Sequence, residues 1–80
     1  MARVVFPDFL LADTGGEREL DCAAENIRDL LLALNAKWPG LRDALDRCAV
    51  AIDGQIYQDA FLEPLQPDSE VFFLQRLEGG

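Results

Sequence analysis

Only one stretch of this chain carries an apolar stripe at helical spacing over more than two turns. Ile27, Leu30, Leu31 and Leu34 fall at i, i+3, i+4 and i+7 and share one face. Asn26 in front of them is an N-cap, and Asp29 three residues on is a capping-box-like partner. Ala23, Ala24 and Glu25 extend this helix by a turn, and Leu32 sits off the stripe, placed to pack against a loop. The helix ends near Asn35 to Lys37, because Pro39 disfavours a helical Trp38 and Gly40 permits a sharp redirection. Leu41 to Arg47 adds a short helical segment. The other apolar residues lie in runs that read as strands. A chain of 80 residues with one real helix can cover only one face of a sheet. The architecture implied is α+β, a single domain over residues 1–80 with a mixed sheet of four to five strands.

The strands follow from alternation and turn chemistry. Arg3 to Leu10 reads as a first strand, with Val4 and Phe6 on one face and Pro7 marking an edge or bulge. Asp13-Thr14-Gly15-Gly16 is a turn that closes a hairpin. Glu17 to Cys22 is the second strand, with Leu20 and Cys22 inward. Its alternating Glu17, Glu19 and Asp21 form a solvated face, because no other metal-ligating residue lies nearby. Cys48 to Ile52 is a third strand, with Cys48, Val50 and Ile52 toward the core. Asp53-Gly54 is a two-residue hairpin turn leading into Gln55-Ile56-Tyr57. Asp59 to Leu65 connects onward, with Phe61, Leu62 and Leu65 available for packing, and Pro67-Asp68-Ser69 turns into the last and most hydrophobic strand, Glu70 to Leu77. The first and last strands can lie parallel in the sheet centre, as the right-handed crossover rule allows.

Composition narrows function. Net charge is −8, which opposes nucleic-acid binding and attraction to an anionic membrane and suits a basic partner. There is no histidine, so the usual general base and the usual metal ligand are missing, and an autonomous enzyme is disfavoured. No metal site is expected. Cys22 and Cys48 are too few for a disulfide scaffold or a structural zinc site and read as buried free thiols, with a bridge between the pair as the alternative. No signal pattern or membrane-spanning run is evident, so the cytoplasm is the default location.

In the last strand, Val71, Phe73, Gln75 and Leu77 share one face, and Glu70, Phe72, Leu74 and Arg76 the other. If the first set meets the helix, Phe72 and Leu74 face outward as part of a partner-binding patch. Packing of Phe72 under a loop holding Trp38 or Phe61 is the alternative. Arg76, Leu77 and Glu78 lead from this patch to Gly79-Gly80. Two glycines make a thin thread able to enter a narrow channel, and a carboxylate at its end can itself be the reacting group.

Ala49-Val50-Ala51-Ile52-Asp53-Gly54, then Pro64 through Phe73, then Gly79-Gly80, resembles the β-grasp sulfur carriers, the MoaD/ThiS family. Within it the pattern is most similar to the small subunit of molybdopterin synthase. The turn reads Pro67-Asp68-Ser69-Glu70 where that family usually has Gly-Asp. The resemblance implies a ubiquitin-like fold and a reactive tail at 77–80. It implies that the Gly80 carboxylate, presented by Gly79, is adenylated by an ATP-using, ubiquitin-activating-like adenylyltransferase. A sulfur donor such as a cysteine desulfurase or rhodanese then yields a thiocarboxylate. It also implies docking of Phe72, Leu74, Arg76, Leu77 and Glu78 on a molybdopterin synthase large subunit in a heterotetramer, with no permanently bound cofactor. A carrier for thiamine or another metabolite, and a ubiquitin-like modifier joined through Gly80 to a lysine, use the same tail. A plain interaction domain does not use it.

Overall fold

The computed structural model describes residues 1–76. The helical stripe becomes α1, Ile27–Lys37, with Ile27, Leu30 and Leu34 buried. Asn26 caps it as the sequence implies, its side-chain oxygen accepting from the Asp29 backbone N–H at 2.8 Å. Ala23 to Glu25 stay outside the helix. The backbone there pairs instead with the segment before the last strand: Leu65 N–H donates to Glu25 O at 2.9 Å, and Ile27 N–H to Glu63 O at 3.0 Å. At the far end the chain leaves helical geometry at Trp38, and α2, Leu41–Leu45, follows.

Five strands form one sheet: β1 (Ala2–Val5), β2 (Glu19–Cys22), β3 (Cys48–Ile52), β4 (Gln55–Tyr57) and β5 (Glu70–Gln75). Their spatial order is β2-β1-β5-β3-β4. β1 and β5 run parallel at the centre, and the remaining neighbours are antiparallel. The β3–β4 turn places both Asp53 (φ +50°) and Gly54 (φ +86°) in the left-handed region, the geometry an Asp-Gly hairpin turn requires.

The first strand is shorter than the sequence reading. It stops at Val5, and Asp8–Leu10 forms a 3-10 helix. Pro7 cannot continue a ladder of donors, and the turn buries Leu10 completely. Likewise β2 starts at Glu19, because residues 11–16 remain in turns around Thr14. Thr14 is fully buried, and its hydroxyl donates to Glu17 O at 2.8 Å.

The core lies between the sheet and α1. Val4, Phe6, Leu30, Leu34, Leu41, Val71 and Phe73 are essentially inaccessible. Each such side chain contributes about 1.5–3 kcal/mol through burial. Phe6 is the aromatic hub: it stacks on Phe73 at 5.9 Å and meets Trp38 in a T-shaped contact at 5.6 Å. Trp38 therefore packs on the helix side and does not cover Phe72. Cys22 and Cys48 are buried and unbridged, and burial pushes both thiols up from their ordinary range. Leu32, Phe61 and Leu62, read as packing residues, are exposed, whereas Leu65 from the same connection is buried. With one helix over one face, the connection has no second layer to fill.

Candidate functional site: the open sheet face and the end of the central strand

Strand register assembles the uncovered face residue by residue. Phe72 of β5 lies opposite Val5 of β1 on one side and Ala51 of β3 on the other, and Ala51 lies opposite Ile56 of β4. One row thus reads Val5, Phe72, Ala51, Ile56. Leu74 lies beside Ala49 in the next row. Phe72 is 37% exposed and Ile56 60% exposed; Leu74 is half-buried. Ala49 and Ala51 are buried although they point away from the helix, because the larger Phe72, Leu74 and Ile56 flank them. All of β3 is therefore buried, on both faces. The result is an apolar shelf with an alanine floor, broader than the Phe72–Leu74 pair that alternation alone defines. Ile56 was the missed member. Its signal was the Asp53-Gly54 hairpin, which fixes β4 against β3 and so fixes which side Ile56 takes.

The same face changes character toward the other edge. Arg3 lies between Glu70 of β5 and Asp21 of β2. Its guanidinium donates to Glu19, and that hydrogen bond, followed by the Glu19 charge, raises its pKa further. Glu19 and Asp21 are solvent-exposed, and Glu17 is exposed as well, so this is a solvated acidic border. Among the described residues no cluster of His, Cys, Asp or Glu could hold a metal ion. No described helix is long and apolar enough to cross a membrane.

Both ends of β5 are fixed by specific bonds. At its start, the Asp53 carboxylate accepts from Glu70 N–H and from the Ser69 hydroxyl, each at 2.9 Å. Asp53 N–H donates back to Glu70 O at 2.9 Å. Ser69 Oγ also accepts from Gln66 N–H at 2.8 Å and is buried. Asp53, read from sequence only as a turn residue, is thus also the clasp on the central strand. At its end, Arg76 N–H donates to Arg47 O at 3.3 Å, and its guanidinium donates to Gln58 O at 2.8 Å and Cys48 O at 3.5 Å. Arg76 ties the end of β5 to the start of β3 and the end of β4. The remaining predicted site residues, Leu77, Glu78, Gly79 and Gly80, lie outside the described residues.

A five-stranded mixed sheet with a central parallel pair, one crossing helix and an open opposite face is the β-grasp, the ubiquitin-like fold. Comparison with solved structures agrees over nearly the whole chain. In the Amycolatopsis orientalis BexX/CysO complex, the match covers 100% of both chains with a TM-score of 0.86 at 15% identity. Small archaeal modifier protein 1 of Methanosarcina acetivorans matches over 99% of this chain and 95% of its own, with a TM-score of 0.81 at 21% identity. In the Helicobacter pylori complex of subunits 1 and 2 of molybdopterin-converting factor, 99% of this chain and 97% of the matched chain align, with a TM-score of 0.71 at 23% identity. These structural neighbours are ubiquitin-like proteins of the MoaD/ThiS kind. Neither a family description nor a curated protein matches the sequence itself.

Proposed function

We propose that this chain is a sulfur carrier: a ubiquitin-like domain that carries sulfur on Gly80 as a thiocarboxylate and delivers it to a partner enzyme. The observation that carries this reading is the central strand β5, which ends at Gln75, followed by Arg76, bonded to the sheet four residues before Gly80. The whole-chain likeness to CysO and to the molybdopterin-converting factor complex supports it.

The chemistry asks little of the carrier. A carboxylate is a poor electrophile until a leaving group is attached. Attack of the Gly80 carboxylate on the α-phosphate of ATP gives an acyl-adenylate and releases pyrophosphate. The terminal sulfur of a donor's cysteine persulfide attacks that carbonyl and expels AMP, giving an acyl disulfide; a thiol then attacks the donor's sulfur, forming a disulfide with it and releasing the Gly80 thiocarboxylate. An adenylyltransferase and a donor such as a cysteine desulfurase or rhodanese supply the catalytic groups. Gly79 and Gly80 carry no side chain to obstruct a narrow channel. The apolar shelf of Phe72, Leu74 and Ile56 docks the partner, with Arg76, Leu77 and Glu78 at the tail's root. Molybdopterin synthesis, with a large subunit in a heterotetramer, is the pathway favoured within this class, and thiamine or another sulfur metabolite is the alternative.

Intact mass of protein from cells able to activate it tests the proposal. The increment of one oxygen replaced by sulfur is expected, located on the C-terminal peptide, and deletion of Gly80 removes it with the fold unchanged. A second reading, a modifier joined through Gly80 to target lysines, is favoured by the likeness to small archaeal modifier protein 1. Isopeptide-linked Gly80 without any sulfur-bearing form would select it. Lys37 is the sole lysine of this chain and the sole side chain on which it could branch.

A further inference from the structure

Arg28, Leu31, Leu32 and Asn35 fall at i, i+3, i+4 and i+7 on α1, a stripe beside the buried one. Across a groove of about 500 Å³ they meet Arg42 and Leu45 of α2, with Phe61 of the β4–β5 connection on the same wall. Leu32 and Phe61 are exposed there and Leu31 is half-buried. A recess of about 140 Å³ adjoins the groove, sharing Leu31, Leu45 and Phe61 with it. An apolar cavity of about 150 Å³ takes up a benzene-sized group, so the recess suits one Leu or Phe side chain.

Two observations define the segment that would bring that side chain. The first is charge. Residues 27–47 hold four cations, Arg28, Lys37, Arg42 and Arg47, against Asp29, Asp43 and Asp46. That is a balance of +1 in a chain of −8, which leaves −9 to everything else. Arg28 and Arg42 both line the groove, where Asp46 is the one carboxylate. Both arginines are exposed. Arg28 pairs only with its neighbour Asp29, at 3.4 Å, and Arg42 makes no ion pair among the described residues. The second is Asn35, whose Oδ1 is held out of water with no hydrogen-bond donor. Turning this amide into the groove breaks no bond of Oδ1 and offers it a peptide N–H. An extended segment has such a group free, whereas the interior of a helix does not.

We propose that this groove docks an extended acidic segment of a partner protein. One apolar side chain fills the recess beside Phe61, carboxylates meet Arg28 and Arg42, and a backbone N–H donates to Asn35 Oδ1. The groove lies on the helix side of the sheet and the shelf on the opposite face, so both can be occupied at once. The shelf has an acidic border and the groove a cationic one, so the two select partners of opposite charge. The proposal holds whether or not the chain carries sulfur.

Titration of the ¹⁵N-labelled full chain with the peptide acetyl-Asp-Glu-Leu-Phe-Glu-Asp amide tests it. Amide shifts should gather at Leu31, Leu32, Asn35, Arg42 and Phe61 and leave Ile56 and Phe72 in place. Arg42→Glu should weaken binding by about tenfold, and Arg42→Lys should recover part of the loss. Asn35→Leu separates docking from stability. Affinity should fall while the thermal midpoint holds or rises, because an unpaired buried acceptor gives way to an apolar group of similar size. Absence of saturable shifts in the groove, or shifts on the shelf instead, overturns the proposal. Tighter binding of acetyl-Lys-Arg-Leu-Phe-Arg-Lys amide at the same residues, or unchanged affinity in Arg42→Glu, overturns the acidic occupant. A lowered midpoint with unchanged affinity in Asn35→Leu overturns the role of Asn35.

Discussion

Phe72 and Phe73 are adjacent in sequence and opposite in the fold. Phe73 is 1% exposed, stacked on Phe6 beneath α1. Phe72 is 37% exposed, flanked by Val5 and Ala51 on a face that no element among the described residues covers. Both belong to the central strand, and both are equally hydrophobic. What separates them is the supply of covering elements: among the described residues the one long helix, α1, packs on a single face of the sheet. The uncovered face keeps its large apolar groups instead of replacing them with charge, although charge is plentiful at the Glu19–Asp21 border. An apolar face retained in a chain of net charge −8 is a surface suited to a partner.

The sharpest way to break this comparison is to truncate each ring in turn. Phe73→Ala should cost about 3–5 kcal/mol, enough to threaten folding of a small domain, as measured by urea or thermal unfolding. Phe72→Ala should cost about 1 kcal/mol or less, because its surroundings are partly water already. Phe72→Asp and Ile56→Asp should leave the unfolding midpoint nearly unchanged while weakening capture of the cognate partner at least tenfold. Equal destabilisation by Phe72→Ala and Phe73→Ala would show the two faces to be one core.

The next effect concerns how β5 is held so that its two faces stay distinct. A one-residue slip would exchange the sets Val71/Phe73 and Phe72/Leu74. The Asp53 clasp opposes that slip by holding Ser69 and Glu70 through both carboxylate oxygens. Asp53→Ala leaves the buried Ser69 hydroxyl and the Glu70 N–H short of an acceptor and should cost about 1–3 kcal/mol. In a double-mutant cycle, Asp53→Ala and Ser69→Ala should couple by about 0.5 kcal/mol or more. Strict additivity would remove the clasp from the account of register.

The contrast between faces was legible in the sequence where it rested on short-range rules. Periodicity gave α1, its Asn26 cap and the inward set of β5, because spacing and capping act within a few residues. The parallel β1–β5 pair followed from element order and crossover handedness. What escaped were features set by partners distant in sequence. The chain after Pro7 folds into a 3-10 turn that buries Leu10, where alternation suggested a longer strand. Phe61 and Leu62 read as available for packing and are exposed, because hydrophobicity does not reveal whether a second layer exists to receive a side chain. Ile56 joined the shelf only through the β3–β4 register, and Asp53 became a clasp only when β5 arrived beside the hairpin. Of the candidate site, Phe72, Leu74 and Arg76 could be placed on the structure, and the four residues that follow are known by sequence alone.

The smallest expected effect reads the inner face without changing a residue. Cys22 and Cys48 both point to the helix side, and their thiols are raised by burial. At Cys48 the nearby Arg76 guanidinium partly opposes the rise, whereas Cys22 has no such cation. The sign follows from linkage. A thiol with a raised folded pKa keeps its proton in the native state while the unfolded chain releases it, so its contribution is fully present below the ordinary thiol range. It is lost as pH climbs through that range toward the folded value. Unfolding free energy measured under reducing conditions should therefore show no thiol-linked pH dependence near neutral pH and decline above the ordinary thiol range. Cys22→Ala and Cys48→Ala should each remove part of that alkaline slope, since burial raises both thiols. A slope that Cys22→Ala leaves intact would mean that its side of the inner face is as open to water as the shelf around Phe72.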